Sequence, residues 1–329
     1  MPTITIDTIY EDSRQALETH GAAPWIAQSV ARAVAAAESH GNVICGLYYL
    51  ESYCLQLRTG RVKGDVDPVV SLPKPGSVFV DAKFGFAQAA FEKALPTAIE
   101  TAKSQGTASL AVGHAHTCTS LGYFTEQIAR AGLVAIGLTN ASPIVAPPGG
   151  NTRVLGTNPI AMSVPDGSGD LAMHFDFSTS AVALGKITMA KAAGRDIPLG
   201  WAVDSDGNPT TDPSAALTGS LVSAGGYKGW GFGLMGEVLA ACFTGTTMSV
   251  DMKPLKVPEG APHNLGQTYL LFDPAVHHDG FVQRFETLAT AVAAQDGARI
   301  PGADRVPATQ VDVPDALWDL VQSLKNSTF

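Results

Sequence analysis

Charge, aromatics and cysteine are all scarce in this sequence. Charged residues make up 16% and aromatics 7% of its 329 residues, and only four are cysteine. Cys45, Cys54, Cys118 and Cys242 are scattered with no CxxC pair. That spacing excludes a disulfide framework and a clustered zinc site, and reads as reduced thiols of a cytoplasmic protein. A basic excess is also missing. The formal charge is −9, and an acidic surface repels phosphate backbones, so nucleic acid is excluded as a general partner. No apolar stretch reaches membrane-spanning length before Gly, Pro or a charge interrupts it. The first twenty residues carry Asp and Glu and lack the apolar core of a signal peptide, so no membrane partner is expected.

What is abundant is apolar: 45% of residues are hydrophobic, enough to bury a large core in a chain of this length. Residues 6–40 read as helical, with Ile26, Val30 and Val34 four apart. Residues 46–57 continue that pattern. Residues 58–76, rich in Gly and Pro, read as a connection. A strand is expected at 77–81. A helix is expected over 85–105, with Pro96 as a kink or break. A strand at 109–112, a helix at 121–131 and a strand at 133–139 read as a βαβ unit with parallel pairing. Residues 143–159 form a long Pro/Gly/Asn loop of the kind that carries function. Strands at 161–164 and 171–175 follow, then a helix at 182–193. DSDGNPTTDP at 204–213 is turn chemistry. Helices are expected at 231–243, 281–295 and 314–325, and a strand at 269–272. No linker divides the chain, so any domains are discontinuous.

Several segments carry chemistry. Gly231-Phe-Gly233-Leu-Met-Gly236 fits the dinucleotide pattern G-x-G-x-x-G, but no apolar strand precedes it. It therefore reads as glycines that let a helix pack closely, not as a Rossmann turn. Lys228, in a Gly-rich loop, can reach a cofactor phosphate or carboxamide, or stay solvated. The 113–120 segment, GHAHTCTS, follows a buried strand and opens a helix. Its backbone N–H groups and hydroxyls suit a pyrophosphate. His114 and His116 lack a third ligand nearby, so no metal is expected. Arg153, Thr157 and Asn158 offer a carboxylate-binding set or a turn-rich loop. Asp176 can orient a ribose or catalytic group, or cap a helix.

Taken together, GLYYLESYCLQLRTG, GHAHTCTSLGYFTEQIARAGLVAIGLTNASPIVAPPGG, LGTNPIAMSVP, FDFSTSAVALGKI, WAVDSDGNPTTDP, GGYKGWGFGLMGEVL, NLGQTYLLFDP and RIPGADR occur in the order found in one family. The chain resembles the malate/L-lactate dehydrogenase family. That family includes ureidoglycolate and sulfolactate dehydrogenases and the Δ1-piperideine/Δ1-pyrroline-2-carboxylate reductases. The resemblance implies a non-Rossmann α/β fold around a mixed sheet. It implies a catalytic and dimerisation part, 1–112 plus 250–329, and an inserted NAD(P)-binding domain, 113–249. It implies a homodimer with a shared active site, a small carboxylate substrate, and NADH or NADPH as cofactor. Cofactor positions fall on Thr117, Cys118, Thr119, Ser120 and Leu121, on Asp176, Phe177 and Ser178, on Lys228, and on Gly302 and Asp304. Substrate positions fall on Tyr53, Thr157, Leu184 and Gly185.

The sequence departs from the family at its acid–base positions. Relatives carry Ser-His-Gly before the leucine-rich helix, with the His as proton donor and an Arg four residues later as carboxylate clamp. Here Ile44-Cys45-Gly46 and Tyr49 stand there. A second frequent histidine aligns with Thr117, beside His116. An Asp of the imine reductases aligns with Lys186. His116 and Cys45 are the remaining donor candidates. Reducing a ketone builds an alkoxide and needs an acid, whereas a protonated cyclic imine already carries its charge. The expected reaction is hydride transfer at C2 of a small carboxylate, with a cyclic 2-imino acid ahead of a 2-hydroxy acid. A silent cofactor-binding homologue is the third reading.

Overall fold

The computed structural model describes residues 1–326. The chain begins with β1 (Thr3–Thr5), α1 (Ile6–Thr19), α2 (Pro24–Ser39), α3 (Leu47–Thr59), β2 (Val69–Lys74) and β3 (Ser77–Asp81). It continues with α4 (Ala87–Gln105), β4 (Thr107–Ala115), α5 (Gly122–Arg130), β5 (Val134–Thr139), β6 (Ile160–Pro165), β7 (Leu171–Phe177) and α6 (Leu184–Ala192). Then come β8 (Ala202–Val203), β9 (Pro209–Thr210), α7 (Pro213–Thr218), β10 (Ser220–Leu221) and α8 (Tyr227–Glu237). The last elements are β11 (Leu265–Phe272), α9 (Phe281–Ala293), β12 (Gln310–Asp312) and α10 (Asp315–Asn326).

Seven strands form one mixed sheet in the order β2-β3-β4-β11-β5-β6-β7. Its parallel pair is β3–β4, joined by α4. The expected βαβ unit β4-α5-β5 is only partly right. Its two strands run in the same direction, but β11, from the far end of the chain, lies between them and pairs antiparallel with both. Paired along both edges and covered on both faces, Leu265–Phe272 is nearly all buried. Val78, Val80, Leu110, Val112, Phe91, Phe124, Tyr269 and Leu271 make the sheet core.

Four corrections to the element map have local causes. The 6–40 helix is two helices, because Gly21 takes φ +105 and Pro24 starts α2. Residues 58–76 contain an edge strand, β2, and its Pro73 is tolerated because the edge has a side that needs no ladder donor. Pro96 sits inside α4 without ending it. The N-terminal strand β1 pairs with β12, closing the helical layer of α1, α2, α3 and α10. A third cluster, around Val145, Leu155, Val182, Ile187 and Leu221, is served by the small sheet β10-β8-β9. In that sheet the DSDGNP turn is closed by Asp204, whose carboxylate accepts from the N–H groups of Asp206 and Asn208, both at 2.9 Å.

Candidate active site

Asp176 ends β7 on the same side of the sheet as the turn that leaves β4. Its carboxylate accepts the Gly122 N–H at 2.8 Å and the Ser120 hydroxyl at 3.5 Å. Gly122 is the first residue of α5, so Asp176 satisfies a helix-start donor from another strand. Burial raises the Asp176 pKa, and the Gly122 and Ser120 bonds oppose that rise. A side chain at Gly122 would strike His174 and Asp176 within 2.8–2.9 Å, so only glycine permits this approach. The HTCTS and FDFS segments are therefore bonded to one another.

The residues just before the GGYKG loop pair, by backbone, with the stretch that follows FDFS. Ser223 bridges Ser180, Ala224 N–H donates to Thr179 O at 2.9 Å, and Thr179 N–H donates to Thr157 O at 2.9 Å. Lys228 follows on the exposed first turn of α8. On that helix Gly233 and Gly236 sit against Thr179, Leu155 and Asn158, with room for no more than a tight methyl contact. These are close-packing glycines, and the G-x-G-x-x-G pattern lies inside the helix rather than at a strand–helix turn.

The tip of the HTCTS turn is strained. Thr119 has φ +61, His114 φ +51, and Asn158 in the neighbouring loop φ +32. Thr117, Cys118 and Leu121 are buried, the last two in the sheet core, so they line the site by backbone more than by side chain. Ser120 is only half-buried and receives an Asn42 amide N–H at 3.4 Å. Phe177 is exposed and stacks on Phe175, with centroids 4.7 Å apart. Ser178 receives the Ser180 hydroxyl at 3.0 Å. Beside this lies a cleft of about 500 Å³ lined by Asn42, Ser120, Asp176, Gly302, Asp304 and Arg305, among others. Gly302 takes φ +79, and a side chain there would meet the His174 backbone at 2.6 Å. Asp304 faces Arg299 at 3.7 Å. The cleft's hydroxyl, amide and carboxylates can accept and donate to the hydroxyls of a ribose.

The turn before α3 meets the start of α6. Gly185 at the start of α6 faces Ile44, 3.6 Å from where a side chain would begin. The neighbouring Cys45 is mostly buried. Burial first, then the nearby Asp176 charge, pushes its thiol pKa up to about 12. Tyr53 is fully buried; its hydroxyl donates to Thr119 Oγ1 at 3.4 Å, and its ring packs on Tyr49 at 5.6 Å. Leu184 is partly exposed beside Gly185. Lys186 instead lines a groove with Met189, Arg195 and Trp201.

Two expected site residues serve elsewhere. Arg153 donates to the carbonyls of Gly219 and Leu217, both at 2.7 Å, and so holds the loop rather than a ligand. His116 is 1% exposed, packed between Tyr53, Phe86 and His263. Its Nε2–H donates to Gln56 Oε1. Burial, then His263 and Arg61, hold its pKa well below the ordinary value, so the ring is neutral. His114 instead pairs with Asp81 at 3.0 Å, so the two histidines do not converge.

Sequence reading missed Glu237. This buried residue of α8 accepts from the N–H and hydroxyl of Ser249, at 2.6 and 2.5 Å, from Asn158 at 2.8 Å and from Asn140 at 3.3 Å. It thereby fixes the amide of the Thr157-Asn158-Pro159 loop. Its only signal was a carboxylate in an otherwise apolar helix.

A family model for malate/L-lactate dehydrogenase matches residues 4–312. The chain is 41% identical over 291 residues to the (2R)-3-sulfolactate dehydrogenase (NADP(+)) of Chromohalobacter salexigens, covering 88% of this chain and 86% of that protein. It is 36% identical to the Δ1-pyrroline-2-carboxylate/Δ1-piperideine-2-carboxylate reductase of Pseudomonas aeruginosa, over 96% of this chain and 97% of that one. The crystal structure of Δ1-piperideine-2-carboxylate reductase from Pseudomonas syringae pv. tomato superposes with a TM-score of 0.90 at 33% identity, over 98% of this chain and 100% of that one. The chain belongs to the malate/L-lactate dehydrogenase family and is an NAD(P)-dependent oxidoreductase.

Proposed function

We propose that this enzyme reduces a cyclic 2-imino acid, Δ1-pyrroline- or Δ1-piperideine-2-carboxylate, to the cyclic amino acid with NADH or NADPH. The carrying observation is the weakness of the acids at the site. Cys45 is pushed up to about 12, and His116 is neutral and walled off. An alkoxide forming from a ketone has no strong donor here. A protonated imine needs none, since its nitrogen already holds the proton and becomes the amine. Two of the similar proteins described above carry names of this activity.

The nicotinamide, when bound, supplies the hydride. The chain's residues bind and orient. We assign Thr119, Ser120, Asp176, Ser178 and Lys228 to the cofactor, with Gly302 and Asp304 at its far end. Thr117, Cys118, Leu121 and Phe177 form its walls. Tyr53, Thr157, Leu184 and Gly185 bound the substrate. Cys45 is the donor if a proton is required, and His116 acts by holding Gln56. The cofactor contacts fall mainly in 113–249, and the substrate wall is shared, with Tyr53 and Cys45 from 1–112 and Thr157, Leu184 and Gly185 from 113–249. We assign a homodimer to the face of α8 and the π-helical segment after it. Phe232, Met235, Val238 and Phe243 are exposed there, an apolar face that a second copy would cover.

A second reading, oxidation of a 2-hydroxy acid, is favoured by the 41% identity to the sulfolactate enzyme. The test is oxidation of NADH and NADPH with Δ1-pyrroline-2-carboxylate, Δ1-piperideine-2-carboxylate, pyruvate and oxaloacetate, and reduction of NAD(P)+ with sulfolactate. Turnover of the imines tenfold or more above the others, about 1.4 kcal/mol in barrier, is expected. Cofactor binding without turnover of any would overturn the proposal in favour of a silent homologue.

A further inference from the structure

The proposed substrate carries a carboxylate, which needs a cation. The guanidiniums near the site are already engaged. Arg153 holds Gly219 and Leu217. Arg305 pairs with Glu126 at 3.1 Å. Arg61 donates to the carbonyls of Val257, Pro254 and Ala261. One ammonium next to Cys45 is left. Lys256 Nζ lies 3.3 Å from the centroid of the Tyr48 ring and 4.4 Å from that of Tyr49, and donates to Tyr48 O at 3.2 Å. Among the described residues it has no carboxylate within ion-pair distance.

The segment carrying Lys256 is not a free loop. Gln56 Nε2 donates to Leu255 O at 2.7 Å and to Val257 O at 3.1 Å. Thr59 donates to Pro258 O at 2.6 Å. Arg61 adds its three carbonyl contacts. Three side chains at the C-terminal end of α3 and just beyond it therefore strap 254–261 along that helix. His116 fixes the amide orientation of Gln56 by donating to Oε1. The strap carries its lysine back to the start of α3, beside Tyr48, Tyr49 and Cys45.

We infer that Lys256 is the cation that receives the substrate carboxylate, held in place by the Gln56–Thr59–Arg61 strap. Aromatic rings on one side leave its remaining N–H groups for an anion. Burial lowers the pKa of this lysine, and the nearby Glu51 and Cys45 offset part of that. The inference rests on the reading of the substrate as a small carboxylate.

The test uses the full-length protein loaded with NADPH or NADH. Binding of pyrrole-2-carboxylate, a planar analogue that cannot be reduced, is compared with pyrrole-2-carboxamide by calorimetry. Wild type is expected to favour the carboxylate by about tenfold or more, as a charge-assisted hydrogen bond provides. Lys256→Met should abolish that preference and raise KM for the imine by about tenfold while changing kcat by less than about threefold. Lys256→Arg should restore most of it. Cofactor affinity and melting temperature should stay at wild-type values in both variants. A Lys256→Met protein that still prefers the carboxylate overturns the assignment while leaving the reductase reading intact. Wild type that turns over the imine yet shows no carboxylate preference also overturns it. Wild type that neither turns over a carboxylate nor binds the analogue overturns both.

Discussion

Glu237→Gln isolates the buried network that holds the Asn158 loop. The carboxylate takes four donors, two on each oxygen. An amide turns one oxygen into a donor pair. Placed at Oε1, the new NH2 faces the fixed N–H of Ser249. Placed at Oε2, it faces the Asn158 amide nitrogen, whose orientation is locked because its oxygen accepts Ala141 N–H at 3.3 Å and its nitrogen also donates to Gly233 O at 3.0 Å. The Ser249 hydroxyl can rotate to accept, so the second placement is the cheaper one and leaves one buried donor opposed. That loss, together with the weaker neutral acceptor, costs ~3 kcal/mol. With an unfolding entropy of ~2.1 cal/mol/K per residue, a cooperative chain of this size loses ~4 °C of Tm. The assay is thermal unfolding by circular dichroism, with KM for the imine alongside. KM should rise, because Thr157 precedes the loosened asparagine. A Tm within about 1 °C of wild type would refute the claim that this carboxylate organises the loop.

Lys228→Ala should weaken NAD(P)H binding about tenfold, read by fluorescence titration, and an unchanged Kd would refute the placement of that lysine. Cys45→Ala should leave imine reduction within about threefold, because a protonated imine needs no donor and this thiol is a weak one; a loss of a hundredfold or so, the size of a lost general acid, would count against the acid argument. Acid should destabilise the protein through its neutral buried histidines. His174 and His263 are held at about 4 by burial first and then Arg305 or Arg61, below the ordinary 6.5. The unfolded chain therefore binds more protons below pH 6.5. Their stabilisation is complete above that pH and lost as pH falls towards 4, about 2 kcal/mol each by pH 5. Replacing His263 with Gln should flatten the fall of Tm between pH 7 and 5, and an unchanged slope would remove His263 from that account.

Much of the element map was legible because the segments have strong periodicity or caps. The 121–131 helix with Gly132 after it, and the 77–81 and 133–139 strands, appear within a residue or two of expectation. What failed was non-local. Nothing in 109–139 announces that β11, more than a hundred residues later, will separate β4 from β5. The same holds for β1 against β12, where three-residue strands carry too little pattern to be seen alone. At the site, HTCTS and FDFS meet through Asp176, and the stretch just after FDFS bonds the residues just before the GGYKG loop, Thr179 O accepting Ala224 N–H. The residues that hold them were invisible. Glu237 and Gln56 are single polar residues on helices, and a sequence does not reveal which buried donors will surround them. Arg153 misled for the same reason, since a guanidinium in a Gly/Pro loop reads as free until the carbonyls of Leu217 and Gly219 are placed beside it.

The central claim is that hydride passes from a nicotinamide in this cleft to C2 of a cyclic imino acid. It is tested most directly by incubating the enzyme with Δ1-pyrroline-2-carboxylate and NADPH or NADH carrying deuterium on the transferred face at C4, and weighing the product. The account predicts proline one mass unit heavier, labelled at C2. Unlabelled proline, or no proline with either stereoisomer of either labelled cofactor, would contradict it.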